Sequence, residues 1–339
     1  MTISRLRPSS AATPGRPGSP AVIHLHRFPV ETVSIPGWTT EYVIAEGTEA
    51  RILRVYRDDD VDRRPFAAKV LRTVPDSDSH HSYEQRARVL REVITIRALS
   101  EAGCPNIPHV VAFSVGNSNG SPPWYIMPYY AGGAMWTDDD DGGLWAERYR
   151  GNVDRVLEIA ESLATTLAFM HDGQRRCTHG NVTVANVLFA AHGSVPVLGG
   201  FGSATLEQSD IGLGVPQGAH LTSWLPPELE GSTGRRATPA ADVFMLGGLI
   251  YEALTGGRVL PPPSSWSAQW IHERGEYTLT RESSDPRLTA VATLLRGMLV
   301  RSAKRRIAAR HVAIACRSIR TGRTVAGPTL KALLAGPGS

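Results

Sequence analysis

The sequence predicts an α+β chain, with β-strands in its first part and mainly helices after them. Residues 38–75 contain loosely alternating apolar and polar side chains around the acidic turn DDDVD, a pattern typical of strands. Residues 153–171 place apolar side chains at helical spacing on one face. Residues 241–256 form an almost wholly apolar stretch, which predicts a buried helix. With 339 residues, of which 42% are hydrophobic, the chain suits one large unit of two lobes or two small domains.

Composition argues against several classes of protein. The sequence contains no run of about 18 apolar residues, so no membrane-spanning helix is expected. The N-terminus lacks the apolar core of a signal peptide. The three cysteines are far apart, which favours a reducing cytoplasm over a disulfide framework. The net charge of +4 does not by itself imply a nucleic-acid partner.

Charge is unevenly distributed near the C-terminus, where no acidic residue follows Asp285. One interpretation is a solvated face of terminal helices. The other is a docking surface for an acidic partner or a membrane, and the sequence leaves both open. The basic residues that crowd this end are Arg296, Arg301, Lys304, Arg305, Arg306, Arg310, Arg317, Arg320 and Arg323.

The most informative stretch runs from His179 to Gly202, HGNVTVANVLFAAHGSVPVLGGFG. It resembles the protein kinase superfamily, in particular the bacterial Ser/Thr kinases. His179 and Asn186 match the first and last residues of that family's catalytic loop, HRDxKxxN, and Phe201 matches the Phe of its DFG motif. The resemblance implies a two-lobed kinase-like fold, with a small antiparallel sheet lobe that carries one helix and a larger, mainly helical lobe.

The resemblance also implies domain limits. The small lobe would span residues 37–130 and the larger lobe residues 131–320. Residues 1–36, rich in Pro, Ser, Ala and Arg, are expected to be disordered. Residues 321–339 would form a basic, flexible tail.

Lys69 lies in FAAKVL, which resembles the strand that carries the kinase family's lysine. Apolar residues flank it on both sides, so its ammonium is expected to point into a cleft and to need a partner. Glu92 lies in a stretch with helical apolar spacing and matches the helix glutamate that pairs with this lysine; a surface glutamate is the alternative. The hairpin keeps one glycine of the family's glycine-rich loop, Gly47, although an ordinary turn would also explain it.

The segment WYIMPYYAGGAM resembles the strand and linker that join the two kinase lobes. By this resemblance Met127 lies at the back of the nucleotide pocket. Pro128 has no N–H but supplies a carbonyl to adenine, and Tyr130 supplies the N–H donor. The resemblance thus implies ATP as a weakly bound ligand. The residues implied to contact it are Gly47, Ile52, Ala67, Lys69, Met127, Pro128, Tyr130 and Leu188.

Three later motifs extend the resemblance. TSWLPPELEG resembles the family's APE segment and contains Glu228, which would pair with an arginine matched by Arg305. The acidic and proline residues that precede this arginine in the family would be replaced by Arg301 and Ser302. Asp242 begins the apolar helix, and because it would be buried it should accept hydrogen bonds, expected from backbone amides of the catalytic loop.

The carboxylates that carry kinase chemistry are missing. Asn181 stands at the position of the catalytic Asp, and its amide can orient a hydroxyl but is not a base. Gly200 stands at the position of the metal-binding Asp, so Asn186 would be the one remaining, neutral ligand. Thr183 replaces the loop lysine. Because Mg²⁺ prefers carboxylates and phosphates, its binding is doubtful, and loss of a positioned base typically slows a reaction about 10²–10⁴-fold.

Gly180 replaces the arginine that, in the family, grips a phosphate on the activation segment. Phosphorylation of Thr205, Ser209 or Thr222 would therefore have no obvious receptor.

The residues implied to build the fold are retained, since His179, Phe201, Ile96 and Asp242 match positions that stack through the kinase core. This combination resembles a pseudokinase that regulates a protein partner of unknown identity by shape. Two alternatives remain: a residual Ser/Thr kinase that uses Asn186 and a nearby carboxylate, and an interaction domain that binds no nucleotide. For the residual kinase, the candidate carboxylates are Glu207 and Asp210.

Overall fold

The structure is a computed structural model, and it has the two-lobed α+β architecture that the sequence predicts. Of the segment predicted to be disordered, only residues 34–36 are described, and of the predicted tail only residues 321–323. The domain limits remain predictions. No described helix is long and apolar enough to cross a bilayer. The described residues are 34–47, 50–72, 79–116, 121–135, 149–172, 176–191, 194–206, 224–229, 236–256, 279 and 284–323.

The first lobe is an antiparallel sheet of five strands in the order β1-β2-β3-β5-β4. Its register pairs Ile52 with Lys69 and Lys69 with Tyr125, so these three side chains share one face of the sheet. The strands are β1 (Trp38–Glu46), β2 (Ala50–Arg57), β3 (Phe66–Leu71), β4 (Ala112–Ser114) and β5 (Trp124–Pro128).

A single helix, α1 (Ser79–Glu101), packs beside this sheet. Val89, Val93 and Ile96 recur at helical spacing and are almost fully buried, which explains why the helix lies against the core. The chain leaves the helix through Gly103, whose φ of +81° is in the left-handed region that favours glycine.

The second lobe is built around α2 (Val153–His171) and α3 (Pro239–Thr255), with α4 (Leu288–Met298) and α5 (Ala309–Thr321) packed against them. The side chain of Asn152 caps α2 by accepting from the Arg155 N–H. Thr238 caps α3 in the same way, and the helix ends at Gly256 in a left-handed conformation.

Two small antiparallel pairs of strands hold the loops at the junction of the lobes. β6 (Cys177–Thr178) pairs with β9 (Thr205–Leu206), and β7 (Val187–Phe189) pairs with β8 (Pro196–Leu198). The loop that contains His179 therefore begins at β6 and ends at β7. The loop that contains Phe201 lies between β8 and β9, which brings the two loops side by side.

The structure corrects the prediction that Arg305 pairs with Glu228. Arg306 forms this pair, with Nη1 2.5 Å from Oε1 and Nη2 2.7 Å from Oε2. Arg305 is exposed and ends a 3-10 turn, whereas Arg306 follows in an extended conformation that directs its side chain inward. The matching positions shift by one, so Ser302 and Ala303, rather than Arg301 and Ser302, occupy the places of the family's acidic and proline residues.

Two of the basic residues near the C-terminus form ion pairs within the fold. Glu161 on α2 accepts from Arg317 Nε at 2.6 Å and from Arg320 Nη2 at 2.9 Å, which ties α5 to α2. Burial alone would raise the pKa of Glu161. The hydrogen bonds and positive charges of Arg320 and Arg317 outweigh this effect, so the pKa is lowered. Lys304, like Arg305, remains exposed.

Candidate functional site

The predicted ion pair between β3 and α1 is present. Lys69 Nζ lies 3.0 Å from Glu92 Oε1 and 2.8 Å from Oε2, and Glu92 is only 2% exposed. Tyr125 on β5 donates from its hydroxyl to Glu92 Oε1 at 3.0 Å. Burial, followed by the Glu92 charge, raises the pKa of Tyr125 well above its ordinary value, so the hydroxyl keeps the proton that it donates. Three groups on three elements therefore hold α1 against the sheet.

The apolar residues implied to enclose adenine lie on the sheet and on the strand below it. Ala67 pairs with Met127, and both side chains are at least nine-tenths buried. Ile52 shares their face of the sheet through its pairing with Lys69. Leu188 lies on β7 and forms a bridge with Ala134 of the linker, which brings it to the junction between the lobes.

The linker between the lobes is docked against β7 by backbone hydrogen bonds. Gly132 N–H donates to Phe189 O at 2.8 Å, and Phe189 N–H donates to Gly133 O at 2.9 Å. A Cβ at Gly132 would lie 2.8 Å from the backbone of residues 189 and 191, so only glycine permits this approach. Pro128 ends β5, and Tyr130 is half-buried, with burial raising its pKa to about 12.

Gly47 is part of an exposed hairpin, and its N–H donates to Ala50 O at 2.8 Å. Its φ is not positive, so the backbone there is an ordinary turn and does not need glycine. Residues 48–49 lie outside the described residues, and contact with a phosphate at this hairpin stays a prediction.

The loop from His179 to Asn186 is anchored by the buried carboxylate of Asp242, as predicted. Asp242 Oδ2 accepts from the N–H of His179 and Oδ1 accepts from the N–H of Gly180, both at 2.8 Å. His171 Nε2 also lies 2.8 Å from Oδ2. Asp242 is fully buried, so these donors replace the water that its charge would otherwise require.

The His179 ring stacks in the core between the two loops. Its centroid lies 4.9 Å from that of Phe201 in an edge-on arrangement, and both rings are fully buried. Nε2 lies 2.9 Å from Gly199 O, and the Asn181 N–H donates to Nδ1 at 3.2 Å. Burial lowers the pKa of His179, and a neutral ring with its proton on Nε2 satisfies both contacts.

Comparison with known proteins identifies the family. The model of the protein kinase domain matches residues 38–315, which is most of the chain. The chain belongs to the protein kinase family. In this family, Lys69 and Glu92 correspond to the strand–helix ion pair, and residues 179–186 correspond to the catalytic loop. Residues 200–202 stand where the family has DFG.

Two similar kinases come from mycobacteria. The chain is 33% identical over 196 residues to the serine/threonine-protein kinase PknK of Mycobacterium tuberculosis, covering 57% of this chain and 15% of PknK. It is 30% identical over 214 residues to the serine/threonine-protein kinase PknB of Mycolicibacterium smegmatis, covering 61% of this chain and 30% of PknB. The match therefore spans less than a third of the length of each of these relatives.

The catalytic and metal positions of the kinase site are filled by amides and glycine. Asn186 Nδ2 donates to the backbone O of Asn181 at 2.9 Å. Gly200 has φ +74°, and a Cβ built there would lie 2.2 Å from Asn186 Oδ1. The Asn186 amide thus occupies the space into which a side chain at position 200 would project. Asn181 Oδ1 is buried and has no hydrogen-bond partner within the described ranges.

These residues do not fit a kinase metal centre. Gly200 supplies no side-chain oxygen, and Asn186 offers only one neutral oxygen, Oδ1, because its Nδ2 donates to the loop backbone. No group of three or more His, Cys, Asp or Glu side chains among the described residues could hold a metal ion. Thr183 is buried at the position of the loop lysine. Glu207 and Asp210, the candidate substitutes, lie outside the described residues.

Sequence reasoning missed two polar contacts of the kinase site. The hydroxyl of Tyr125 on Glu92 could have been anticipated only from the register, which places Tyr125 opposite Lys69. Arg54 on β2 lies over the ring of Tyr129 in the linker, 5.2 Å from its centroid, and donates to the Tyr56 hydroxyl at 2.9 Å. Arg54 therefore connects the sheet to the linker, and no motif marks it.

Proposed function

We propose that this kinase-family chain is a pseudokinase that binds a nucleoside triphosphate weakly, without a metal ion, and regulates a protein partner by its shape. The observation that carries the proposal is the arrangement at position 200. Gly200 has no carboxylate, and the Asn186 amide occupies the space that a side chain there would need. A metal that bridges the phosphates would lose its charged protein ligand.

The retained framework supports the binding part of the proposal. Glu92, which also accepts from the Tyr125 hydroxyl, holds the Lys69 ammonium in the cleft, so this charge is placed to meet phosphate oxygens. Ile52, Ala67 and Leu188 offer apolar surface above and below an adenine ring. Weak affinity is expected because Lys69 alone must compensate the negative charge of the phosphates. In active kinases, metal ions neutralise part of this charge.

The absence of a catalytic base at position 181 supports a regulatory rather than a catalytic role. Asn181 can orient a hydroxyl, but its amide cannot accept the proton, and loss of a positioned base slows transfer about 10²–10⁴-fold. The small number of cysteines, all free among the described residues, is consistent with action in the reducing cytoplasm.

A residual Ser/Thr kinase is the second candidate, favoured by the intact pair of Lys69 and Glu92 and by the similarity to PknK and PknB. It needs a carboxylate from elsewhere to reach Asn186. The third candidate, an interaction domain with no nucleotide site, requires the cleft to be closed to ATP.

Thermal unfolding with ATP separates these candidates. We expect ATP at about ten times its Kd to stabilise the chain by about 1.4 kcal/mol, and equally in Mg²⁺ and in EDTA. Lys69→Met should abolish this shift, measured against its own ligand-free unfolding temperature. Lys304→Met changes an exposed lysine and is the matched control. A shift that requires Mg²⁺ would favour the residual kinase, and the absence of any shift would favour the third candidate.

A further inference from the structure

The turn between α4 and α5, with the start of α5, carries arginines that no acidic residue compensates. Residues 286–323 contain neither Asp nor Glu. Arg301, Arg305 and Arg310 are exposed and form no ion pair within the described ranges, and Lys304, also exposed, lies between the first two. The arginines of this part of the chain that do pair with acids elsewhere in the fold are Arg287, Arg306, Arg317 and Arg320.

The backbone of this turn is fixed by hydrogen bonds. The guanidinium of Arg306 points inward and donates to Val300 O at 2.9 Å and to Arg301 O at 3.1 Å. The N–H of Arg305 donates to Ser302 O at 3.0 Å and closes the 3-10 turn. One arginine therefore anchors the turn from inside, while its neighbours project outward. A surface whose backbone is already ordered loses less conformational entropy when it binds a partner.

The positive charge at the start of α5 is also uncompensated. Arg310 Nε lies 3.3 Å from His311 Nε2. Burial, followed by the charge of Arg310, lowers the pKa of His311, so the imidazole is neutral at neutral pH and can accept this hydrogen bond. The first turn of α5 contains no acidic residue, so the positive end of its helix dipole adds to the same field.

We propose that Arg301, Arg305 and Arg310 form a docking surface for an acidic segment, rich in Asp and Glu, of a partner protein. The planar guanidinium of arginine matches a carboxylate with two parallel hydrogen bonds and stays charged at neutral pH. Three unpaired guanidinium groups on a fixed turn can each take one carboxylate. Such a segment would also reduce the repulsion among these like charges.

Two other anionic partners fit this surface less well. A membrane surface is bound by large apolar side chains set beside basic ones, and among residues 284–323 only Ile314 is an exposed large apolar residue, with 36% of its surface accessible. Single-stranded nucleic acids stack their bases on aromatic rings, and residues 286–323 contain no Phe, Tyr or Trp. Charge without apolar or aromatic side chains favours carboxylates.

The surface belongs to the second lobe. Arg306 ties its turn to Glu228 and to the carbonyl of Ala240 at the start of α3, whereas Lys69 and Glu92 belong to the first lobe. The proposal therefore goes beyond nucleotide binding and gives the chemistry of a protein partner. It stands whether or not ATP binds.

The test measures the fluorescence anisotropy of labelled hexaglutamate with the full chain, without nucleotide, at low and at physiological ionic strength. We expect the triple variant Arg301→Gln, Arg305→Gln, Arg310→Gln to bind about tenfold more weakly than the wild type, because each substitution removes a charge-assisted pair. The corresponding glutamine peptide should not bind. Absence of hexaglutamate binding by the wild type at low ionic strength would overturn the proposal.

A charge-matched control separates this surface from the net charge of the chain. The variant Arg57→Gln, Arg64→Gln, Arg97→Gln removes as many positive charges from exposed positions in the first lobe, where each arginine has an acidic neighbour. It should bind hexaglutamate as the wild type does. Equal weakening by the two triple variants would show that only net charge matters and would refute a docking surface.

Two more readouts exclude other roles for these arginines. Without peptide, the triple variant of the surface should unfold at an equal or higher temperature than the wild type, because it removes charges that repel one another. A clearly lower unfolding temperature would show that the arginines hold the fold, contrary to the proposal. Duplex DNA and phosphatidylserine vesicles are compared at the same ionic strength, and tighter binding of either through these arginines would rule out the acidic protein segment as the partner.

Discussion

Asp242→Asn is expected to lower the free energy of unfolding by about 3–5 kcal/mol, as removal of one member of a buried charged network does. The carboxylate accepts from the N–H groups of His179 and Gly180 through different oxygens. An asparagine has one oxygen and one NH₂, so in either orientation the NH₂ faces a backbone donor. One buried N–H then loses its acceptor, and the approach of His171 Nε2 to Oδ2 is also changed.

Urea unfolding followed by circular dichroism measures this change. The matched control is Asp154→Asn, because Asp154 is exposed and pairs with Arg287 at the surface. A surface pair of this kind contributes about 0–1 kcal/mol. If the two substitutions cost the same, Asp242 would not be the anchor of the catalytic loop.

Arg306→Met is expected to destabilise the fold by about 3–5 kcal/mol, because it removes every hydrogen bond that the buried guanidinium gives to the Glu228 carboxylate and to three backbone carbonyls. The Arg306 side chain is fully buried and binds both oxygens of Glu228. It also donates to the backbone oxygens of Val300, Ala240 and Arg301 at 2.9 to 3.1 Å. The segment at Glu228 is thereby tied to the start of α3 and to the turn before α5.

Arg305→Met makes the same chemical change one residue earlier, at an exposed position. Surface substitutions of this kind usually change stability by no more than about 0.5 kcal/mol. Denaturation of the two variants side by side thus tests the pairing directly. A larger loss for Arg305→Met would show that the sequence-based match to Arg305 was right after all.

The sequence predicted the parts of the site where burial and charge allow only one arrangement. Lys69 is flanked by apolar residues on a strand, so its ammonium needs an acidic partner in the cleft. Glu92 lies in a stretch with helical apolar spacing and forms this ion pair. Asp242 begins an almost wholly apolar helix and is fully buried, so it needs hydrogen-bond donors, and backbone N–H groups of the catalytic loop supply them. Both contacts follow from the high free energy of an unpaired buried charge.

Contacts that depend on backbone detail could not be predicted in this way. Arg305 and Arg306 are chemically identical, and only the 3-10 turn before Arg306 decides which of them enters the core. The position of the Asn186 amide beside Gly200 reflects space left by an absent side chain, and a sequence does not show space.

The most direct measurement of the central claim is transfer of the γ-phosphate from ATP to peptide substrates, followed by mass spectrometry, with Mg²⁺ or Mn²⁺ present. We predict that the wild-type chain incorporates no more phosphate than Lys69→Met, because Gly200 and Asn186 offer no charged ligand to the metal and Asn181 offers no base. Metal-dependent transfer by the wild type and by Lys304→Met that Lys69→Met abolishes would contradict the account.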